Sequence, residues 1–440
     1  MLLALTLAAL ALHVPGADSV GSPLRTNLFV ALLGAALVAY LLAVRLVLRH
    51  PLPARSLWIV LAVAAALRAA LLPAPPFLSS DIYRYVWDGR VQVAGINPYA
   101  HVPADPALAP LRDAAVFPHI NRATYAPTIY PPAAQAFFAL LAILGAGVTG
   151  MKLALVACEA AAVLCLLRLL RLAGLPPQRV LIYAWNPLAL WSFAADGHVD
   201  ALAIALLAAA LLCRARRRDG LAGAVLAAAA LVKFLPVVAA PAFLRGGRLW
   251  RPALAGVAVI AVLYAPYLSA GSRVLGFLSG YGGEEGLADG SGIWLLAGLQ
   301  RLATLPRAAP RLYMLGVVAG FALLSLWIVR RAVPAAGDVA ALCRDAAVLA
   351  ACATVAISPH YPWYFAWLAL PSVVAPLPAV IWLSVAPVAL YLDPFHERFF
   401  WPALVYLPAA GLCAATLLRR PAAVPHAPSV PAAASSLGAP

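Results

Sequence analysis

Residues 79 to 99 read S-S-D-I-Y-R-Y-V-W-D-G-R-V-Q-V-A-G-I-N-P-Y, and residues 125 to 132 read Y-A-P-T-I-Y-P-P. The two stretches bound the longest polar excursion in an otherwise apolar chain. Asp81, Arg84, Asp88 and Arg90 lie in the first, and His101, Asp105, Arg112, Asp113, His119 and Arg122 lie between the two. Four of the 16 acidic residues fall in this one interval. A polar segment presented between apolar elements is where a scaffold carries its chemistry, so the interval reads as a catalytic loop.

Within it, Ser79-Ser80-Asp81 predicts a helix N-cap, and Ile82, Tyr85, Val86, Gly89 and Val93 recur at helical spacing until Gly95 ends the run. The pattern predicts an amphipathic helix lying on a membrane surface. Tyr83, Tyr85 and Trp87 suit an interfacial belt, where the ring sits in apolar surroundings and its polar tip stays wet.

The rest of the chain explains why a membrane is expected. Hydrophobic residues make up 65% of the 440 and charged ones only 11%, and many apolar runs approach the roughly 20 residues that a helix needs to cross a bilayer. A soluble globular fold is excluded, and an all-α polytopic membrane protein is expected, because only helices satisfy their own backbone groups in lipid. The net charge of +15 does not point to nucleic acid. Its arginines cluster between apolar runs, at 214 and 216 to 218 and at 245, 248 and 251, which is the positive-inside pattern. Cys158, Cys165, Cys213, Cys343, Cys352 and Cys413 show no metal or disulfide spacing and read as packing residues.

The same rule orients the chain. Leu2 to Val14 is a first span or a signal-like segment. Asn27 to Leu48 ends among Arg45, Arg49 and Arg55, so that end is cytoplasmic, and Leu57 to Leu72 returns outward. The loop 75–131 is therefore external. If Pro131 to Gly147 spanned, Arg168, Arg171 and Arg179 would emerge outside. Ala133 to Leu144 is accordingly predicted as an interfacial or re-entrant helix, and Met151 to Leu172 as the inward crossing. Asn186-Pro187 and Asp196-Gly197 break the next apolar run into a hairpin, and Leu221 to Leu244 forms another with Lys233 near its apex. A second external loop, 271–290, carries Glu284, Glu285 and Asp289. Residues 1–420 form one membrane domain of about 11–13 transmembrane helices, and 421–440 read as a disordered cytoplasmic tail.

An acidic residue directly after an outgoing helix, the Y-P-P segment, the broken helices and the external H-Y-P-W-Y at 360–364 together resemble the GT-C superfamily of polyprenyl-phosphate-sugar-dependent glycosyltransferases. D-I-Y-R-Y-V-W-D-G-R with G-I-N-P-Y is similar to bacterial polyprenol-phosphate-mannose-dependent mannosyltransferases. The superfamily often pairs two acidic residues here, whereas Ser80 precedes a single Asp81. The resemblance implies a GT-C-like bundle in a bacterial inner membrane, with the site facing outside. It further implies a polyprenyl-phosphate sugar donor and transfer of a hexose, mannose above all.

The chemistry of such a transfer assigns roles by residue type. The departing phosphate is already anionic and needs cations or hydrogen-bond donors, while the attacking hydroxyl needs a base. Asp81 is the candidate base, in an inverting displacement; its plainer role is helix capping. Arg84, Asp88, Arg90, Tyr130, His198, Asp200, Lys233, His360 and Tyr361 are candidates for substrate contact. Asp88 is also placed to pair with Arg84 four residues earlier. Lys233 is an ionisable group inside an apolar hairpin, with snorkelling as the alternative. Trp363 and Tyr364 read as aromatic belt, and Glu159, in mid-span, needs a structural partner. No particular cofactor is indicated; a divalent metal held by His198, Asp200 and His360 stays open, without ligand spacing to support it. The partners expected are the lipid-linked sugar donor, a glycan, glycolipid or protein acceptor, and the bilayer, with no nucleic acid. A transporter or flippase of polyprenyl-linked sugars, or a non-catalytic assembly subunit of the same fold, are the alternatives.

Overall fold

The computed structural model describes residues 1–12, 23–245, 250–331, 338–392 and 399–418. The expected tail, 421–440, lies outside the described residues, as do Arg248, Arg419 and Arg420. No strand occurs among the described residues. The α-helices of ten or more residues are α1 (Leu2–Ala11), α2 (Pro23–Arg49), α3 (Ser56–Leu71), α4 (Asp81–Val93), α5 (Pro132–Ile143) and α6 (Val148–Leu172). They continue as α7 (Asp200–Ala215), α8 (Asp219–Ala230), α9 (Trp250–Tyr264), α10 (Ala309–Arg330), α11 (Val339–Ile357) and α12 (Phe400–Leu418). The protein is an all-α polytopic membrane protein.

Six described helical segments are long and apolar enough to cross a membrane. The 11–13 crossings expected from hydropathy are reached only if broken segments also cross, and these are built from short pieces. The clearest is 177–215. A one-turn helix stops before Asn186, whose side chain caps a new start by accepting from the Ala189 N–H at 3.0 Å. Residues 190–195 follow as a wide π-helical turn, and Gly197 then reverses the chain at φ +73° before α7 begins. The second hairpin matches its expectation: α8 rises to Lys233 and Leu235–Leu244 descends from it.

Basic residues gather at one end of the bundle. α2 ends at Arg49, α6 carries Arg168 and Arg171 in its last turns, and Arg216–Arg218 follow α7. Arg245 and Arg331 converge there on Asp345 at 2.7 and 3.1 Å. At the opposite end meet the start of α4, the start of α6, the start of α7, the apex at Lys233 and the segment after α11. α5 stays at this end: its 12 residues extend about 18 Å, well short of a bilayer core. Its Ala133 N–H donates to the Leu231 carbonyl beside Lys233.

α4 corrects one expectation. Ile82, Arg84, Tyr85, Val86, Trp87, Asp88, Gly89 and Val91 are all buried, so the helix is a core element packed by protein on several sides and not an amphipathic helix with one face left for lipid. Its apolar residues occupy more than one face, and a helix apolar on several sides is buried by several neighbours. α5 packs so closely that a Cβ at Gly89 would meet the Phe138 carbonyl oxygen at 2.4 Å. Tyr85 stacks on Phe138 with centroids 4.8 Å apart, and Trp87 packs against Phe117. Tyr85 and Trp87 are therefore packing residues and not an interfacial belt.

Candidate active site

The site is organised by the turn Asp196-Gly197-His198-Val199-Asp200, each residue of which meets a different part of the chain. Asp196 accepts from the backbone N–H groups of Phe77 and Leu78 at 2.8 and 2.9 Å, fixing the segment that leads into α4. Gly197 lets the turn approach α4, since a Cβ there would fall 2.4 Å from the Ile82 side chain. His198 stacks on Trp363 with centroids 4.5 Å apart. The Val199 N–H donates to the Tyr85 hydroxyl, and Asp200 pairs with Lys233 at 2.8 Å. The irregular segment before α4, α4 itself, the second hairpin and the segment 358–364 are thereby tied to one point.

These elements enclose a cavity of about 870 Å³. Asp81, Arg84 and Tyr130 line it, with Lys233, His360 and Tyr361. His198 and Asp200 stand immediately behind, in contact with Asp81 and Trp363 and with Lys233 respectively. Asp88 is also behind the wall: Arg84 donates to it at 2.8 Å and Gln135 at 2.9 Å, which is the internal pairing its spacing suggested. Arg90 lies away from the cavity, bound to Asp113 at 2.6 Å.

Asp81 begins α4, but its carboxylate does not cap the helix. Ser80 holds the N-cap position without a side-chain cap bond, the Asp81 N–H donates to Ser79 Oγ at 3.2 Å, and the Asp81 side chain accepts from Asn121 Nδ2 at 3.0 Å. The other oxygen, Oδ2, lies 3.8 Å from His198 Nδ1. A carboxylate spared from capping and facing a cavity is free to take a proton.

The cations around it are held by internal acids. Arg84 pairs with Asp88, Lys233 with Asp200, and Arg122 with Glu284 at 2.6 Å, while His360 Nδ1 lies 3.6 Å from Glu285 and its Nε2 is 2.7 Å from the Gly292 carbonyl oxygen. The Lys233 ammonium also lies over the Tyr364 ring, 4.2 Å from its centre. Each pairing fixes a geometry without using every donor, because a guanidinium carries five N–H bonds and an ammonium three. Burial alone would lower Arg122, but the Glu284 hydrogen bond and charge outweigh it and raise the guanidinium above its ordinary value. Arg122 stays charged.

Asn121 is not marked by any sequence pattern, and Arg122, Glu285 and Tyr364, though noted in the sequence as loop charges and aromatic belt, are not among the residues expected to contact substrate. Arg122 and Glu284 join the two polar loops, a pairing 162 positions apart that no local pattern encodes. A φ of +54° at Arg122, rare outside glycine, marks it only once the backbone is known. Trp363 and Tyr364 belong to the cavity wall and not to a lipid belt. Glu159 has the structural partner it needed: Arg68 grips it with two nitrogens at 2.6 and 3.1 Å. Among the described residues no group of three or more His, Cys, Asp or Glu side chains converges as a metal site.

The described residues thus form a polytopic α-helical bundle with a carboxylate and paired cations around a cavity at the end away from its basic cluster. The family model described as "Alpha-(1->6)-mannopyranosyltransferase, N-terminal domain", of the MptA_B family, matches residues 5–245, more than half of the chain. The chain belongs to this mannosyltransferase family. The matched interval includes Asp81, the 196–200 turn and Lys233, whereas His360 and Tyr361 lie beyond it. No curated protein matches the chain.

Proposed function

We propose that the enzyme transfers mannose with inversion from a polyprenyl-phosphate donor to an acceptor hydroxyl at the external face of a bacterial plasma membrane. The observation that carries this reading is Asp81: an uncapped carboxylate opening into a cavity whose walls also hold Arg84, Arg122 and Lys233. Asp81 takes the proton of the acceptor hydroxyl as its oxygen attacks the anomeric carbon. The bond from that carbon to the phosphate oxygen breaks, and the phosphate leaves with the electron pair, stabilised by the cations of the cavity. In-line attack requires base and leaving group on opposite faces of the sugar, which a cavity of this size accommodates.

Two further features support the donor and the orientation. Phe234, Val237 and Leu278 line the cavity and are also exposed, an apolar opening that suits a polyprenyl chain. The arginine clusters occupy the end away from the cavity, as expected if that end is cytoplasmic.

The test is transfer of labelled mannose from polyprenyl-phosphate-mannose to a membrane glycolipid extract, comparing wild type with Asp81→Asn after matching their thermal unfolding. Loss of about 10²- to 10⁴-fold in kcat is expected for removal of a general base. Equal rates would remove Asp81 from that role. Movement of the donor across vesicle bilayers without transfer would favour a flippase, and donor binding with neither transfer nor movement would favour an assembly subunit.

A further inference from the structure

His198 is 1% exposed, and neither ring nitrogen has a hydrogen-bond partner among the described residues. A neutral imidazole carries one donor and one acceptor, and leaving both unmet in a buried site is costly. The carboxylate of Asp200 beside it is already committed to Lys233 at 2.8 Å. The carboxylate within near reach is Asp81, with Oδ2 3.8 Å from His198 Nδ1. We propose that His198 is a positioning residue for Asp81: as substrate seats, His198 Nδ1–H donates to Asp81 Oδ2 while Asn121 holds Oδ1. This rests on the reading of Asp81 as the base.

Three features make the closing movement one of Asp81 and not of the ring. The imidazole lies flat on Trp363, whose ring in turn stacks on Tyr361 with centroids 4.6 Å apart, so three planes hold its tilt. Its backbone N–H donates to the Ser192 carbonyl at 2.9 Å. Gly197 fixes its approach to α4, because no side chain fits against Ile82 there. Asp81, by contrast, is only partly buried at the cavity wall, and catalytic hydrogen bonds that are long in an empty site tighten when substrate is bound. A carboxylate gripped at both oxygens presents its remaining lone pairs to the cavity in one plane, which is the orientation a base needs toward a seated hydroxyl.

The experiment measures donor kcat and KM, with polyprenyl-phosphate-mannose varied and glycolipid extract saturating, for wild type, His198→Phe, His198→Gln and Asp81→Asn. Phe keeps a ring on Trp363 and loses both nitrogens; Gln keeps an amide donor. The expected result is a kcat for His198→Phe roughly 10- to 100-fold below wild type with donor KM within about twofold, and for His198→Gln a kcat within about fivefold of wild type. Equal losses in Phe and Gln variants would make His198 structural and overturn the proposal. So would a loss carried by KM, which would make His198 a substrate contact, or wild-type kcat in His198→Phe. An inactive Asp81→Asn beside an unimpaired His198→Phe removes this proposal and leaves the base in place. A fully active Asp81→Asn removes the base and the proposal with it.

Discussion

The chain has two lysines, and the regions around them use charge in opposite ways. Lys152, in the first turns of α6, is 1% exposed and donates to the carbonyl oxygens of Ala74 at 2.6 Å and Leu71 at 3.4 Å, at the end of α3. Beside it Asp196 holds the next backbone N–H groups, and deeper in the bundle Arg68 grips Glu159 and the Ala64 and Ala184 carbonyls. Lys233 stands on the other side of the same turn, lining the cavity, paired with Asp200 and lying over Tyr364. Behind the turn, charges staple backbone; in front of it they keep donors available to a ligand. Residue type and apolar setting are alike, and access to the cavity is the difference.

The sealed side should be the more fragile. Glu159→Gln leaves Arg68 charged and unpaired in the interior, and a loss of about 3–5 kcal/mol of stability is expected for breaking a buried pair at one partner. Thermal unfolding in detergent checks this; a shift equivalent to under 1 kcal/mol would mean that the pair is solvated and the contrast misdrawn. Lys152→Met should cost about 1–3 kcal/mol, because two buried carbonyl oxygens lose their donor, with donor KM unchanged. A raised KM with normal stability would move Lys152 to the functional side.

On the open side, Lys233→Met combined with Asp200→Asn removes both members of the pair. Stability should then stay within about 1 kcal/mol of wild type while donor KM rises about tenfold, a loss of about 1.4 kcal/mol in binding. An unchanged KM would make Lys233 as structural as Lys152. The smallest effect should come from the loop between the two quoted stretches. The hydrogen bond from His101 and the backbone N–H of Ala107 hold the Asp105 carboxyl below the usual carboxylate range. A depressed folded value stabilises above the unfolded value, near pH 4, and the contribution is lost as pH falls through the folded value. Below about pH 4 the acid sensitivity of unfolding should therefore be slightly smaller in Asp105→Asn than in wild type; an identical slope would show that this bond does not contribute.

Much of the site's outline can be read from one dimension, and specific residues mark where that reading stops. Asp88 with Arg84 is legible because four residues is one helical turn. The 196–200 turn is legible as a break because glycine after aspartate interrupts an apolar run. That this turn touches Asp81, more than 100 positions earlier, is not legible, and neither is the pairing of Arg122 with Glu284. Arg90 illustrates the converse: it belongs to the same motif and the same helix as Asp81, yet points to Asp113 away from the cavity. Spacing along a helix fixes relative direction, but not which direction meets a neighbour.

By itself the sequence determined the class of protein. Apolar runs of bilayer length leave helices as the only way to satisfy the backbone, the punctuation by Asn-Pro and Asp-Gly marks where those helices break, and the arginine clusters divide the ends of the bundle. Tertiary structure alone decided that α4 is buried, that Asp81 is bound by Asn121 and not spent on its own helix, and that one lysine faces the cavity while the other seals backbone. Burial and access depend on what packs against a residue from distant parts of the chain, and hydrophobic pattern is a local quantity that carries no information about that partner.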